Sequence, residues 1–143
     1  MDCFICRKHA GQEAQPPGGY FDLGNLNEYW RVCHAPPQMA VPGMLLIESQ
    51  RHVLDFAEMT PEEASSYGIL ARRLYAALKT VTGAPRIYAL AMMDGAEHFH
   101  MWLVPRPADA LSKGIAYLAA DHACTEQEAL TVVAALREQL ARE

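Results

Sequence analysis

Two stretches of the chain repeat their apolar positions at helical spacing, and several others alternate. In residues 60–83, Tyr67, Ala71, Leu74, Leu78 and Val81 fall on one stripe of a helix. Its start is written in Thr60-Pro61-Glu62-Glu63, a capping box with proline at the first helical position, and Gly83 offers its stop. Thr125 to Glu128 repeats the capping box, opening a second helix with Ala129, Val133, Leu136 and Leu140 inside. Elsewhere the period is two. The stretch HFHMWLVPR, His98–Arg106, puts His98, His100, Trp102 and Val104 on one face and Phe99, Met101 and Leu103 on the other. It predicts a strand, joined to another at Arg86–Met93 by a tight connection containing Asp94-Gly95, a strong hairpin signal.

Met44–Ser49 predicts a short apolar strand, and Tyr20–Leu23 and Glu28–His34 predict strands around the turn-forming residues 24–27. GIAYLAAD (114–121) offers one more. The segments 11–20 and 34–43 are irregular by their proline and glycine content. Strands, helix, hairpin, helix is the order of an α+β fold, with about five antiparallel strands and two main helices packed against them.

Length and composition narrow the function classes. At 143 residues the chain is expected to form a single domain, 1–143, around one core. It is 51% hydrophobic and 20% charged, ordinary for a globular protein. The net charge of -5 provides no global field for nucleic acid or anionic membrane, so neither is expected as a partner. No apolar run approaches the ~18 residues that span a bilayer. The start, MDCFICRK, lacks the apolar core of a signal peptide. A cytoplasmic location is the expectation, and there four cysteines read as thiols or metal ligands rather than a disulfide framework.

Two features carry chemistry. Cys3 and Cys6 form a C-x-x-C at the very start, too early to follow the strand that a thioredoxin-type redox pair needs. They are incidental thiols or half of a tetrahedral zinc site, whose other ligands spacing alone cannot choose among His9, His34, His52, His98, His100 and His122. His9 and His122 look like surface residues. The second feature is the pair His98 and His100. Two imidazoles on one sheet face are costly to bury unpaired. A histidine whose other nitrogen is held by an acceptor, commonly a backbone carbonyl, is a competent nucleophile.

HFHMWLVPR resembles the motif of the histidine triad (HIT) superfamily, H-x-H-x-H followed by apolar residues and often Pro-Arg. The likeness spans residues 3 to 106. It includes an apolar strand ending in ESQRH, the helix opening MTPEE, and the N-terminal C-x-x-C of many bacterial HIT proteins. The resemblance implies a nucleotide hydrolase or nucleotidyl transferase. The middle histidine, here His100, would attack the α-phosphate and form a nucleotidyl-histidine, with dinucleoside polyphosphates such as diadenosine tetraphosphate one conventional substrate. It implies a structural zinc on Cys3, Cys6, His52 and His98, and a homodimer.

The departures from the family pattern are specific. The third triad position is Trp102, whose indole N–H donates a hydrogen bond but gives up no proton at neutral pH. Related uridylyltransferases carry glutamine there. The turn before the motif is only Met93-Asp94-Gly95-Ala96-Glu97, without the usual phosphate donors, and the acidic residue that commonly holds ribose is replaced within His34-Ala35-Pro36-Pro37. Trp102 and Arg106 are the remaining candidates for substrate contact, Trp102 by packing or one hydrogen bond and Arg106 by neutralising phosphate. A non-catalytic nucleotide-binding protein with a structural zinc is the alternative reading, and a zinc-stapled interaction protein a third.

Overall fold

The computed structural model describes residues 2–142. Four strands, β1 (Trp30–His34), β2 (Leu45–Ser49), β3 (Arg86–Leu90) and β4 (His100–Arg106), form one antiparallel sheet in the order β1-β2-β4-β3. Four helices accompany it: α1 (Phe4–His9), α2 (Pro61–Thr82), α3 (Ile115–Ala119) and α4 (Glu126–Ala141). The fold is α+β with α2 and α4 as its main helices, and the sheet's four strands are close to the expected count of about five. Among the described residues no helix is long and apolar enough to cross a membrane.

Both long helices begin as their sequences dictate. Thr60 and Glu63, and again Thr125 and Glu128, exchange the two hydrogen bonds of a capping box. Gly83 closes α2 at φ 72°, a left-handed turn that costs glycine little. Leu70, Leu74, Ala77 and Leu78 of α2 meet Val133, Leu136 and Leu140 of α4 in one core with Trp30, Val32, Leu45, Ile47, Phe99 and Leu103. The α2 stripe is therefore rotated from the predicted one: Leu70 and Ala77 are buried, whereas Tyr67, Ala71 and Val81 lie at its margin.

Alternation along β4 holds. Met101 and Leu103 face that core, while Trp102 and Val104 face a second, smaller cluster with Cys33, Leu46 and Tyr117. Across β2, Glu48 pairs with His100 and Leu46 with Trp102, so these four side chains share the face away from the main core.

Three predicted elements differ. Tyr20–Leu23 is not a strand, because Asx turns divert it. Asp22 Oδ1 accepts from Gly24 N–H and Asn27 Oδ1 from Leu23 N–H, leading into a 3₁₀ turn at Gly24–Glu28. Only Phe21 N–H reaches β1, at the Val32 carbonyl. Residues 114–121 contain α3 instead of a strand; Leu118 N–H closes a turn on the Gly114 carbonyl, and Tyr117 Oη donates to the Pro105 carbonyl. The connection between β3 and β4 is long rather than tight, spanning 91–99. Phe99 N–H donates to the Val53 carbonyl and the Phe99 carbonyl accepts from Ser49 N–H, so this end of the motif leaves β3 for the chain after β2.

Candidate functional site

The site is built where α1 and the end of β2 meet the start of β4. Cys3 caps α1, its sulfur accepting from Cys6 N–H at 3.3 Å. One helical turn thus brings both sulfurs to one side. Facing them is His98, fully buried. Its Nε2–H donates to the Ser49 carbonyl at 2.8 Å, which leaves the Nδ1 lone pair aimed at Cys3 Sγ (3.4 Å) and Cys6 Sγ (3.5 Å). Burial holds the His98 pKa below the usual imidazole value and keeps the ring neutral, as metal ligation requires. His52, three residues beyond β2, puts its Nδ1 at 3.5 Å from Cys6 Sγ.

The four donor atoms lie within 4.8 Å of one another, a group that could hold a metal ion. Metal–S bonds of about 2.3 Å and metal–N bonds of about 2.0–2.1 Å in a tetrahedron separate S from N by about 3.5 Å. The observed separations match that arrangement. Two thiols and two imidazoles form a closed four-coordinate set, so the residues fit a structural metal. Of the histidines that spacing could not choose among, geometry brings His52 and His98 to the cysteines.

His100 turns the other way. Its Nδ1–H donates to the His98 carbonyl at 2.7 Å, which fixes the tautomer and leaves Nε2 with a free lone pair. The ring lines a cavity of about 780 Å³, with Phe4, Ile5 and Lys8 of α1, the loops 14–18 and 36–39, Leu46, Glu48 and Trp102. Trp102 sits 6.2 Å from His100, ring to ring, and also borders a second cavity of about 620 Å³ with Met44, Met92 and His122. Gly95 and Ala96 of the short loop reach the first cavity. Arg106 does not line it; its guanidinium is buried against Tyr88 Oη (3.3 Å) and the Pro107 carbonyl (3.2 Å).

The remaining histidines are occupied. His34 is a satisfied core residue: Nδ1–H donates to the Ala35 carbonyl at 2.7 Å and Nε2 accepts from Gly43 N–H at 2.9 Å. Gly43 is required there, since at φ 95° a Cβ would sit 3.0 Å from Thr82 Cγ2 and 3.3 Å from Pro105 Cγ. His122 is half-buried, hydrogen-bonded to the Tyr117 carbonyl and tilted against its ring, 4.6 Å between centroids. His9 is not a surface residue either. Its side chain is 9% exposed and lies 2.9 Å from Glu48 Oε1, edge-on to His98.

Sequence reading missed the cluster around Glu48. Lys8 Nζ lies 2.5 Å from Glu48 Oε2 and 3.6 Å from Cys33 Sγ, while Tyr20 Oη reaches Glu48 Oε1 at 3.4 Å. Burial alone would raise the Glu48 pKa, but the His9 hydrogen bond and Lys8 outweigh it and leave it below the ordinary carboxylate value. Burial pushes the Cys33 thiol up to about 12, so it remains an unreactive thiol. The available signal was a lone carboxylate on the Leu46 face of an otherwise apolar strand.

No family model matches the chain, and no curated protein matches it in sequence. Solved structures do match in shape. A Zn-bound histidine triad family protein from Mycobacterium smegmatis superposes with a TM-score of 0.72 at 17% identity, covering 99% of this chain and 95% of that one. A hypothetical histidine triad nucleotide-binding protein from Sulfolobus tokodaii strain 7 gives 0.73 at 11% identity, over 98% and 93%. A HIT-like protein involved in cell-cycle regulation from Bartonella henselae gives 0.71 at 10% identity, over 96% of each chain. The chain has the histidine triad fold.

Proposed function

We propose that this protein is a nucleotide hydrolase or nucleotidyl transferase acting at an α-phosphate, with His100 as its nucleophile. The observation that carries the reading is the Nδ1–H···O=C bond from His100 to His98, which orients the ring and, in its neutral form, puts the lone pair on Nε2 beside a cavity large enough for a nucleotide. Two of the structural neighbours are described as nucleotide-binding or as carrying a ligand. The substrate is a phosphoanhydride, phosphoester or phosphoramidate of a nucleoside monophosphate.

In the first step the Nε2 lone pair forms a bond to phosphorus while the bond from phosphorus to the leaving group breaks, the departing group taking the electron pair. The His98 carbonyl stabilises the positive charge that develops on the ring. Water or an acceptor hydroxyl then attacks phosphorus and passes its proton to solvent as the N–P bond breaks and its electron pair returns to Nε2. Trp102 supplies no proton to the leaving group, so leaving groups that depart as stable anions, or that arrive already protonated, suit the site best. Arg106 is held by Tyr88 and Pro107 and is left out of the step.

Cys3, Cys6, His52 and His98 are the proposed zinc ligands, in agreement with the donor set and with the Zn-bound neighbour. When bound, zinc supplies a closed structural tie between the N-terminus and the start of β4. A homodimer is the proposed assembly. Turnover of nucleoside phosphoramidates and dinucleoside polyphosphates tests the reading: the intact protein should release nucleoside monophosphate, and His100→Asn should not. Tight nucleotide binding without turnover or adduct would favour a purely binding role, the reading that Trp102 supports.

A further inference from the structure

The floor of the His100 cavity carries a buried ion pair that neither the metal ligands nor the nucleophile use. The side chains of Lys8 and Glu48 are 9% and 1% exposed, and in the β2–β4 register Glu48 lies directly opposite His100. Such a pair is a poor stabiliser. Apolar residues of similar volume in its place are often neutral or better. The neighbouring wall, Phe4, Ile5, Leu46 and Pro37, is apolar, as the flat face of a base requires. Lys8 brings an ammonium to that wall, while Gln15, Gln38 and Glu126 are polar elsewhere in the lining.

Lys8 has three donors. Glu48 takes one at 2.5 Å, another faces Cys33 Sγ at 3.6 Å, and the Tyr20 ring centroid lies 5.7 Å from Nζ. The sulfur is the weakest of these partners. Lys8 lines the cavity whereas Cys33 does not, so a ligand oxygen there would take the third donor in a charge-assisted bond and leave the Glu48 contact intact. A ligand amino group in that place would set donor against donor. Phosphate is a poor match, because the adjoining Glu48 carboxylate offsets the ammonium and repels an anion. A neutral carbonyl meets neither objection.

We infer that Lys8, held in place by Glu48, is a specificity-determining residue that selects a base with an oxo group at purine C6 or pyrimidine C4, such as hypoxanthine, guanine or uracil, over one with an amino group at that position, such as adenine or cytosine. The inference rests on the nucleotide reading of the cavity. It directs the substrate away from diadenosine compounds and toward inosine, guanosine or uridine nucleotides.

Equilibrium binding to the zinc-loaded full chain tests it without any turnover. Inosine monophosphate should bind more tightly than adenosine monophosphate by about 10-fold or more, the scale of one charge-assisted hydrogen bond. Lys8→Met/Glu48→Leu removes both charges together, so neither is left buried alone, and should bring the two affinities within about threefold. Equal affinities in the intact protein, a preference for adenosine monophosphate, or a preference that survives the double change would overturn the inference alone. A double variant that weakens both nucleotides equally would also overturn it, since Lys8 would then be meeting phosphate. Failure of the intact protein to bind any nucleotide would overturn both this inference and the nucleotide reading. A ligand series on the unmutated protein covers the case of a variant that does not fold. Purine riboside monophosphate, which lacks the oxo group, should bind more weakly than inosine monophosphate, and equal binding would refute the selection.

Discussion

The ring of His100 is held by the main chain of His98: Nδ1–H donates to the His98 carbonyl at 2.7 Å, two residues back along the chain. His98 is itself fixed by the Ser49 carbonyl at 2.8 Å and by its place between the two cysteines. One short segment therefore orients the proposed metal ligand His98 by its side chain and the proposed nucleophile His100 by its carbonyl.

That shared support predicts different failures for the two residues. His98→Ala should lower metal content and melting temperature, losing activity through disorder at the start of β4. His100→Ala should keep the metal and most of the stability, while nucleotide turnover falls by several orders of magnitude. Metal analysis and thermal melts on both variants decide the matter. Retention of metal by both would place the metal elsewhere; loss by His100→Ala alone would reverse the roles.

The metal centre itself predicts about one zinc per chain in protein purified without added metal or chelator. Because the ligands come from α1, the chain after β2 and the chain before β4, metal binding should add to folding free energy. Chelation should lower the melting temperature and zinc should restore it. A melting temperature that ignores both would contradict the assignment.

Trp102 predicts a gain of function. Its ring lies beside His100 where a third histidine would stand, so Trp102→His should raise hydrolysis of substrates with poor leaving groups. A rise of ~10-fold corresponds to about 1.4 kcal/mol of transition-state stabilisation. A fall in activity with the fold intact would mean that the indole belongs to the working site.

Glu63 gives a pH prediction outside the site. It is buried, and the Arg51 hydrogen bonds, with the Thr60 backbone, outweigh burial and hold its pKa below the reference 4.5. A depressed carboxylate stabilises fully above its unfolded pKa and loses that contribution as pH falls through the folded value. Glu63→Gln keeps the capping geometry but not the charge. The stability gap between the native chain and Glu63→Gln should therefore be widest near neutrality and narrow as pH falls below the ordinary carboxylate range. Acid release of metal affects both proteins and cancels. A gap independent of pH would refute the account.

Much of this was legible in the chain because it is encoded locally. Thr60, Glu63, Thr125 and Glu128 announce their helices within four residues, and alternation along β4 separates Trp102 from Leu103 without reference to any partner. The resemblance also pointed to Cys3, Cys6, His52 and His98, which the fold brings together as a group that could hold a metal ion. What escaped depends on distant contacts. Tyr20–Leu23 has strand composition but loses its ladder to Asp22 and Asn27 side chains, and 114–121 turns helical with Leu118 N–H on the Gly114 carbonyl and Tyr117 Oη on the Pro105 carbonyl. Lys8, His9 and Glu48 were invisible as a cluster because 40 residues of chain separate Lys8 from Glu48, and no periodicity links a short N-terminal helix to a central strand. Arg106 read as a phosphate ligand by position, yet Tyr88 and Pro107 claim its guanidinium.

Mass spectrometry of the protein trapped with a reactive nucleotide tests the central claim most directly. Incubation with a nucleoside monophosphate activated by a good leaving group, quenched above neutral pH to protect the acid-labile N–P bond, should add one nucleotidyl group per chain. Fragmentation should place it on His100, and His100→Ala should carry none. An adduct on another residue, or one that persists in His100→Ala, would contradict the account.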